Sequence, residues 1–241
     1  PVGKDLKEYK SECHHGTAYT KMMADYSDIH SEALYYVPLN QTYEVWNLKV
    51  TNKSEVKREL TITGYAEFTN NNNYEQDQVN LQYSQFITRT EFEGDRIRHI
   101  IHGNLDWVTE GNEVDNKDVI SRIFALVGAQ VDSYCGDKEA FLGRYREYRN
   151  PIGVEDGKLS GEMCYNENGC GALSTVMILQ PGETKEIAFI VGMKDKKEAD
   201  AIIAHYTDVT KQCSDELEEL IGYWHGQLNH FQVKTPSKEF D

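Results

Sequence analysis

The chain has 241 residues, of which 39% are hydrophobic and 27% charged, a composition that supports a buried core and excludes a disordered chain. Its 25 Lys and Arg stand against 40 Asp and Glu, so the formal net charge is −15. A field of this sign repels phosphate backbones and anionic lipid surfaces, and we expect no nucleic acid or membrane partner.

The cysteines favour a reducing, cytoplasmic setting. Their number is odd, so they cannot all pair, and their spacing matches no disulfide framework. Cys164 and Cys170 enclose a short segment that could hold a metal ion or a labile disulfide. Zinc ligands usually come in closer pairs with matching partners, so we expect no metal there. The five cysteines are Cys13, Cys135, Cys164, Cys170 and Cys213.

The first two-thirds of the chain alternate polar and apolar residues as strands do. Residues 33–37 form an apolar run that stops at Pro38, which cannot donate to a ladder. Residues 44–51 and 59–68 alternate with period two on either side of the polar turn 52–55. This pattern predicts a hairpin of two long strands.

Further strand candidates follow, and the turn dipeptides Glu93-Gly94 and Pro181-Gly182 separate neighbours among them. No long crossover helix lies between the candidates, which predicts antiparallel pairing. The predicted fold is therefore mainly β, one unit of antiparallel sheets with a helical tail. The candidates are residues 79–83, 86–90, 96–102, 120–131, 173–179 and 185–192.

Helical spacing is confined to the end of the chain. Asp195 and Glu198 are spaced as a capping box, which predicts a short helix over 199–206. A longer helix is predicted within 214–228, because apolar residues recur there on one face that must be covered. The stripe consists of Leu217, Leu220, Ile221, Trp224 and Leu228.

Several segments carry a family resemblance: residues 15–20 (HGTAYT), 36–39 (YVPL), 44–52 (EVWNLKVTN), 136–143 (GDKEAFLG), 179–183 (LQPGE) and 232–236 (QVKTP). In this order they resemble the amino-terminal domain of glycoside phosphorylases of the cellobiose and cellodextrin phosphorylase type, in glycoside hydrolase family 94. The resemblance implies a galactose-mutarotase-like super-sandwich over 1–193. It also implies a helical linker over 194–241 that leads to an (α/α)6 barrel.

The resemblance also implies an activity for the parent enzyme. That activity is reversible, inverting phosphorolysis of β-linked gluco-oligosaccharides to glucose 1-phosphate, in a cytoplasmic homodimer. Inorganic phosphate is the co-substrate, and no cofactor or metal is implied. The general acid and the phosphate-binding groups belong to the barrel, and the chain ends at Asp241, near where the barrel begins. We therefore expect no catalytic residue in this chain.

Two departures from the family accompany this expectation. The family usually has an Arg before the His-Gly pair, where this chain has His14. The family's domain also opens with a segment upstream of Pro1. We interpret the chain as a scaffold that supplies a dimer contact and one wall of the substrate site.

An Asn-rich stretch supplies the candidate sugar contacts. Four consecutive Asn residues, 70–73, favour a loop because Asn tolerates left-handed backbone angles. Amides both donate and accept hydrogen bonds, and a Tyr ring offers an apolar face to sugar C–H groups. A solvated loop whose Asn side chains bond their own backbone is the alternative. In the family this loop reaches the active site of the neighbouring subunit. The candidates are Asn73, Tyr74, Gln76 and Gln78.

Other constellations have simpler interpretations. Glu67, Glu75 and Asp77 suggest a glycosidase, yet paired catalytic carboxylates flank a sugar and normally come from different elements. Neighbouring His14 and His15 with Glu12, or His99 with His102, suggest a metal, but adjacent strand residues point to opposite faces. Arg144, Arg146 and Arg149 alternate with Tyr145 and Tyr148, which favours an interface or a rim over a phosphate site.

Two further functions stay open at this point. A free-standing carbohydrate-binding module would need sugar affinity without chemistry. An aldose-epimerase-like enzyme would need a His and a carboxylate on one concave face.

Overall fold

A computed structural model describes residues 10–69, 79, 85–101 and 120–237. Strands dominate this part of the chain, and every strand pair is antiparallel. The strands are β1 Lys10–Gly16, β2 Tyr19–Tyr26, β3 Ile29–Tyr36, β4 Tyr43–Asn52, β5 Arg58–Glu67, β6 Thr88–Phe92, β7 Arg96–Ile101, β8 Ser121–Val127, β9 Ser133–Asp137, β10 Gly169–Leu179 and β11 Thr184–Lys194.

Within the described residues the strands form two sheets. One has eight strands in the order β1–β2–β3–β4–β11–β8–β7–β6, and the other has three in the order β5–β10–β9. This confirms the predicted mainly β, antiparallel sandwich. Strands β1, β2 and β9 were not predicted, and the 79–83 candidate falls largely outside the described residues.

The predicted hairpin of β4 and β5 is wrong, because the two strands belong to different sheets. Strand β4 pairs with β3 and β11, whereas β5 pairs with β10. Along the described strands the chain changes sheets four times. The first crossing follows Asn52, between β4 and β5, and the last is at Pro181-Gly182, between β10 and β11. The alternation had correctly located both strands but carried no information on their partners.

Asn52 forms hydrogen bonds with the β4–β5 connection and with the β10–β11 connection. Its side chain is fully buried, and its amide donates to the carbonyls of Val56 at 2.7 Å, Leu179 at 3.2 Å and Gln180 at 3.1 Å. Its backbone also exchanges hydrogen bonds with the turn that follows β10, at 3.0 and 2.8 Å. One side chain therefore satisfies carbonyls of both connections where the chain changes sheets.

The main core lies between the sheets. Phe124 of β8 stacks on Phe189 of β11 with ring centroids 5.3 Å apart, and Trp46 of β4 meets Phe124 edge-on at 5.6 Å. Leu173 and Met177 of β10 complete this cluster from the small sheet. The central strands of the large sheet are also covered on their other face, which explains why they are buried on both sides.

Four described helices pack on the outside: α1 Lys138–Leu142, α2 Ile152–Glu155, α3 Lys196–His205 and α4 Val209–Leu228. The predicted capping box is confirmed at α3, where Asp195 accepts from the Glu198 amide at 2.7 Å. Helix α4 begins five residues earlier than the predicted 214–228 segment. None of the helices in the described residues has the length and apolarity needed to span a bilayer.

Helices α3 and α4 cover the outer face of the large sheet. Leu220 is buried and Leu217 is half-buried against Val45 and Ile190, so part of the apolar stripe is covered as expected. Below them, the Glu216 carboxylate accepts from Tyr36 at 2.8 Å and from Tyr206 at 2.9 Å. At the end of the stripe, Trp224 and Leu228 stay exposed.

The cysteines differ in their surroundings. All five are free thiols, and four are buried while Cys13 is exposed. The neighbour of Cys170 is Cys135, whose carbonyl accepts from the Cys170 thiol at 3.7 Å, and Cys164 forms no disulfide with Cys170. A side-chain hydrogen bond between the two thiols lowers the pKa of Cys135 to about 7. Within the described residues no group of three His, Cys, Asp or Glu side chains could hold a metal.

Candidate functional site

The predicted sugar-contact residues follow the end of β5, after which the structure describes the chain up to Thr69. Residues 65–69 and 138–148 lie next to each other at this point, and they show what fixes the start of the loop. The candidates Asn73, Tyr74, Gln76 and Gln78 lie outside the described residues, as do Glu75 and Asp77.

Glu67, the last residue of β5, is held by three donors. Lys138 Nζ lies 2.9 Å from its Oε2, and the hydroxyls of Tyr65, at 2.8 Å, and Tyr148 donate to its Oε1. Lys138 also lies 5.4 Å from the centre of the Tyr148 ring, within cation–π range. These contacts join the start of the Asn-rich loop to α1 and to the Arg- and Tyr-rich segment.

The electrostatics of this cluster keep Glu67 ionised. Burial raises the pKa of Glu67, but the hydrogen bonds from Tyr148, Lys138 and Tyr65 outweigh burial and hold that pKa below its usual value. The same contacts raise the pKa of Lys138 against the opposing effect of its burial. A carboxylate held as an anion by three donors is unsuited to proton donation, so Glu67 is not suited to be the general acid of a glycosidase.

Replacing Glu67 with Gln is expected to reduce stability only where the carboxylate is charged. A folded-state pKa below the unfolded one gives stability that is present above the unfolded pKa and lost as pH falls through the folded value. The side chain is 39% exposed, so we expect a discounted loss of about 1 kcal/mol, or about 2–4 °C in Tm, at pH 7. Thermal unfolding from pH 3 to 8 measures it.

Glu67→Gln should therefore approach the parent chain in acid, below the ordinary Glu pKa of 4.5. Glu162→Gln, at an exposed position, is the matched control and should leave the Tm unchanged. A Glu67→Gln profile parallel to the parent at every pH would contradict this account.

The Arg- and Tyr-rich segment is partly used inside the domain. Arg146 pairs with Glu155, and the Tyr148 hydroxyl binds Glu67. Tyr145 is exposed, with the Arg144 guanidinium 5.5 Å from its ring centre. Two of its members thus have internal partners, and the predicted interface or rim role of the segment stays a prediction.

His99 lies beneath the start of the same loop. It is fully buried, both of its ring nitrogens lack a hydrogen-bond partner, and the Phe68 ring stacks on it at 5.1 Å. Burial, with the charge of Arg122, lowers the pKa of His99 to about 3. The imidazole is neutral at physiological pH and serves packing here. His102, its suggested metal partner, lies outside the described residues.

A concave surface of about 610 Å³ lies at one end of β1–β4, against α4. Two segments that carried the family resemblance, 15–20 and 36–39, meet there. Their resemblance to the family was the one feature of the sequence that pointed to this site. The aromatic rings of this surface come from Tyr19, Tyr35 and Trp224. Its polar groups include the side-chain amides of Asn40 and Gln41 and the hydroxyl of Thr20. The lining is chemically suited to a sugar.

This surface lacks paired catalytic groups. Glu44 is the one acidic residue among its described lining residues. His15 and Glu44 stand on β1 and β4, three strand spacings apart, which is about 14 Å at the usual distance between strands. The structure therefore does not bring together the His and carboxylate that an epimerase needs.

Gly16 has a steric role at this surface. The ring of Tyr19 folds over it so closely that a Cβ at position 16 would lie 2.1 Å from the ring. Local packing thus explains the glycine of the 15–20 motif. His14 and His15 point to opposite faces as expected, with His14 near Glu12 at 3.3 Å and His15 near Thr20 at 3.0 Å.

A family model and several curated relatives match this chain. The model of the glycosyl hydrolase 94 supersandwich domain matches residues 1–209. The N,N'-diacetylchitobiose phosphorylase of Vibrio furnissii is 30% identical over 100% of this chain and 28% of its own length. The 3-O-beta-D-glucopyranosyl-beta-D-glucuronide phosphorylase of Paenibacillus borealis is 26% identical, over 95% of this chain and 28% of its own.

A second protein of Paenibacillus borealis, a solabiose phosphorylase, is 24% identical over 98% of this chain and 29% of its own length. The chain therefore spans less than a third of each of these curated relatives.

Proposed function

The chain belongs to the glycosyl hydrolase 94 supersandwich domain family, and from this premise we propose that it is the non-catalytic amino-terminal domain of a glycoside phosphorylase. The observation that carries the proposal is the match of the family model to residues 1–209, together with relatives that are phosphorylases by name. Within the described part of the chain, the Glu67 carboxylate accepts hydrogen bonds from neighbouring side chains, and the concave surface beside α4 has a single carboxylate. Both findings support a scaffold role.

The reaction proposed for the parent enzyme needs groups beyond this chain. A phosphate oxygen attacks the anomeric carbon of a β-linked disaccharide while a carboxylic acid protonates the leaving glycosidic oxygen. The products are a sugar 1-phosphate of inverted configuration and a free sugar. We place the acid and the phosphate-binding groups in a barrel domain and propose a cytoplasmic homodimer without a metal or organic cofactor in catalysis.

The sugar is the least constrained part of the proposal, because the relatives are named for different disaccharides. N,N'-diacetylchitobiose is the first substrate to test, since the Vibrio furnissii relative has 30% identity. Cellobiose and cellodextrins, which the sequence resemblance favours, are the second. The Asn-rich loop, with Asn73, Tyr74, Gln76 and Gln78, would form one wall of the acceptor site in the neighbouring subunit.

The test compares the complete gene product with the 241-residue chain. Each is incubated with phosphate and a panel of β-linked disaccharides, and sugar 1-phosphate is measured. The complete product should be active and the 241-residue chain inactive. Sugar 1-phosphate release by the purified 241-residue chain would sink the proposal, as would a coding sequence that encodes no further domain.

The wall role has its own test in the complete product. Tyr74→Ala should raise KM by about two- to tenfold, because one aromatic contact is worth about 0.5–1.5 kcal/mol. Tyr26→Ala, at a position 57% exposed at the end of β2, is the control. Equal KM values for both variants would remove the loop from the substrate site.

A free-standing carbohydrate-binding module is the second candidate, favoured by the rings at the concave surface. It predicts that the 241-residue chain binds cello-oligosaccharides or N,N'-diacetylchitobiose in calorimetry, with binding lost in Trp224→Ala. A pure scaffold predicts no heat of binding.

A further inference from the structure

The exposed strand β1 carries a thiol and an imidazole on the same face. Residues two apart in a strand share a face, and Cys13 and His15 do so at the edge of the large sheet. The Cys13 Sγ lies 3.6 Å from the His15 Nε2. Cys13 is also the one exposed cysteine of the five, so solvent reaches this pair directly.

The separation of these two atoms suits a shared metal ion. Zinc-type bonds measure about 2.3 Å to a thiolate and about 2.0–2.1 Å to an imidazole nitrogen, so two such ligands at a tetrahedral angle are about 3.5–3.6 Å apart. The observed 3.6 Å falls at that value. A metal could therefore enter between the two atoms with little movement of either side chain.

The second nitrogen of His15 is already oriented. Its Nδ1 lies 3.0 Å from the hydroxyl of Thr20, which stands directly opposite His15 on β2. Metal-binding imidazoles usually use their other nitrogen in this way, and the contact fixes the ring orientation. Nε2 is then left as the nitrogen that faces the thiol.

A third soft donor stands opposite the thiol. Met22 pairs with Cys13 in the β1–β2 ladder, shares its face and is 50% exposed. Side chains directly opposite in such a ladder have Cβ atoms about 4.5–5.5 Å apart, within reach of a flexible thioether. Thiolate, thioether and imidazole together form a donor set that favours Cu(I) over harder ions.

We propose that Cys13, His15 and Met22 form a surface site for a thiophilic metal ion, Cu(I) in the first place. The proposal does not rest on phosphorolysis, because it uses none of the carboxylates or Asn-rich loop residues assigned to that reaction; His15 and Thr20 also line the concave surface described above. The competing account is a simple thiol–imidazole hydrogen bond at 3.6 Å with no metal affinity.

Anaerobic titration of the 241-residue chain with Cu(I), in competition with a chromophoric Cu(I) chelator, tests the site. We expect one ion per chain. Cys13→Ser should abolish this binding, His15→Gln and Met22→Leu should each weaken it at least tenfold, and Thr20→Val should weaken it by roughly 10–100-fold.

The strand provides its own controls. His14 and Met23 are the adjacent residues on the opposite face, so His14→Gln and Met23→Leu should leave the affinity unchanged. Circular dichroism and Tm check that each variant folds. Binding that survives in Cys13→Ser, falls equally in His14→Gln, or is absent in the parent chain would overturn the proposal.

Discussion

Deletion of residues 214–241 is expected to lower the Tm of the chain by about 10–20 °C and to increase the binding of a hydrophobic dye. The deletion removes Leu217 and Leu220, which cover the outer face of the large sheet, and it removes the Glu216 carboxylate from beneath two tyrosine hydroxyls. Losing this cover costs at least about 5 kcal/mol, and each kcal/mol corresponds to about 2–4 °C in a chain of this size.

A shorter deletion separates this effect from trimming of the exposed end. Removing 229–241 leaves α4 intact, and residues 229–234 are exposed, so Tm and dye binding should stay close to those of the parent. If the longer deletion also left both unchanged, the helices would not be part of the core.

Asn52→Ala is expected to destabilise the chain by about 3–5 kcal/mol. The substitution removes the donor for three carbonyls at two of the four connections where the chain crosses between the sheets, β4–β5 and β10–β11. Each buried acceptor left without a partner costs about 1–3 kcal/mol, with water satisfying those nearest the surface. Urea denaturation measures the loss as a lower midpoint at constant slope.

Two companion variants sharpen the Asn52 result. Asn52→Asp keeps the shape but cannot donate when ionised, so it should be at least as unstable as Asn52→Ala at pH 7. Asn150→Ala, at an exposed position, should change the free energy of unfolding by less than about 0.5 kcal/mol. A mild Asn52→Ala variant would show that the crossings are stabilised by other contacts.

The residues behind these two predictions differ in how far their roles could be predicted from the sequence. The α4 stripe was predicted from helical spacing, because repeated apolar residues on one face require a covering surface. Asn52 was identified only as the first residue of a polar turn and the last residue of a resembling segment. Its role depends on carbonyls more than a hundred residues away, at Leu179 and Gln180, which local spacing does not connect.

The metal-site proposal shows the same division. Sequence reasoning treated His14 and His15 as a candidate pair and disfavoured it because neighbouring strand residues diverge. That argument holds in the structure, and it also explains why Cys13 joins His15. The contributions of Met22 and Thr20 follow from the β1–β2 register, which the sequence could not predict for a strand exposed along its whole length.

From the sequence alone came the mainly β class, the positions of most central strands, the capped helix at Asp195 and the family resemblance. These depend on residue spacing, which reports how each segment alternates or which face it buries. Only the tertiary structure showed that β4 and β5 lie in different sheets, that Cys135 neighbours Cys170, and that segments 15–20 and 36–39 share one surface. The physical reason is that burial is encoded locally, whereas the choice of partner strand depends on contacts between residues distant in the chain.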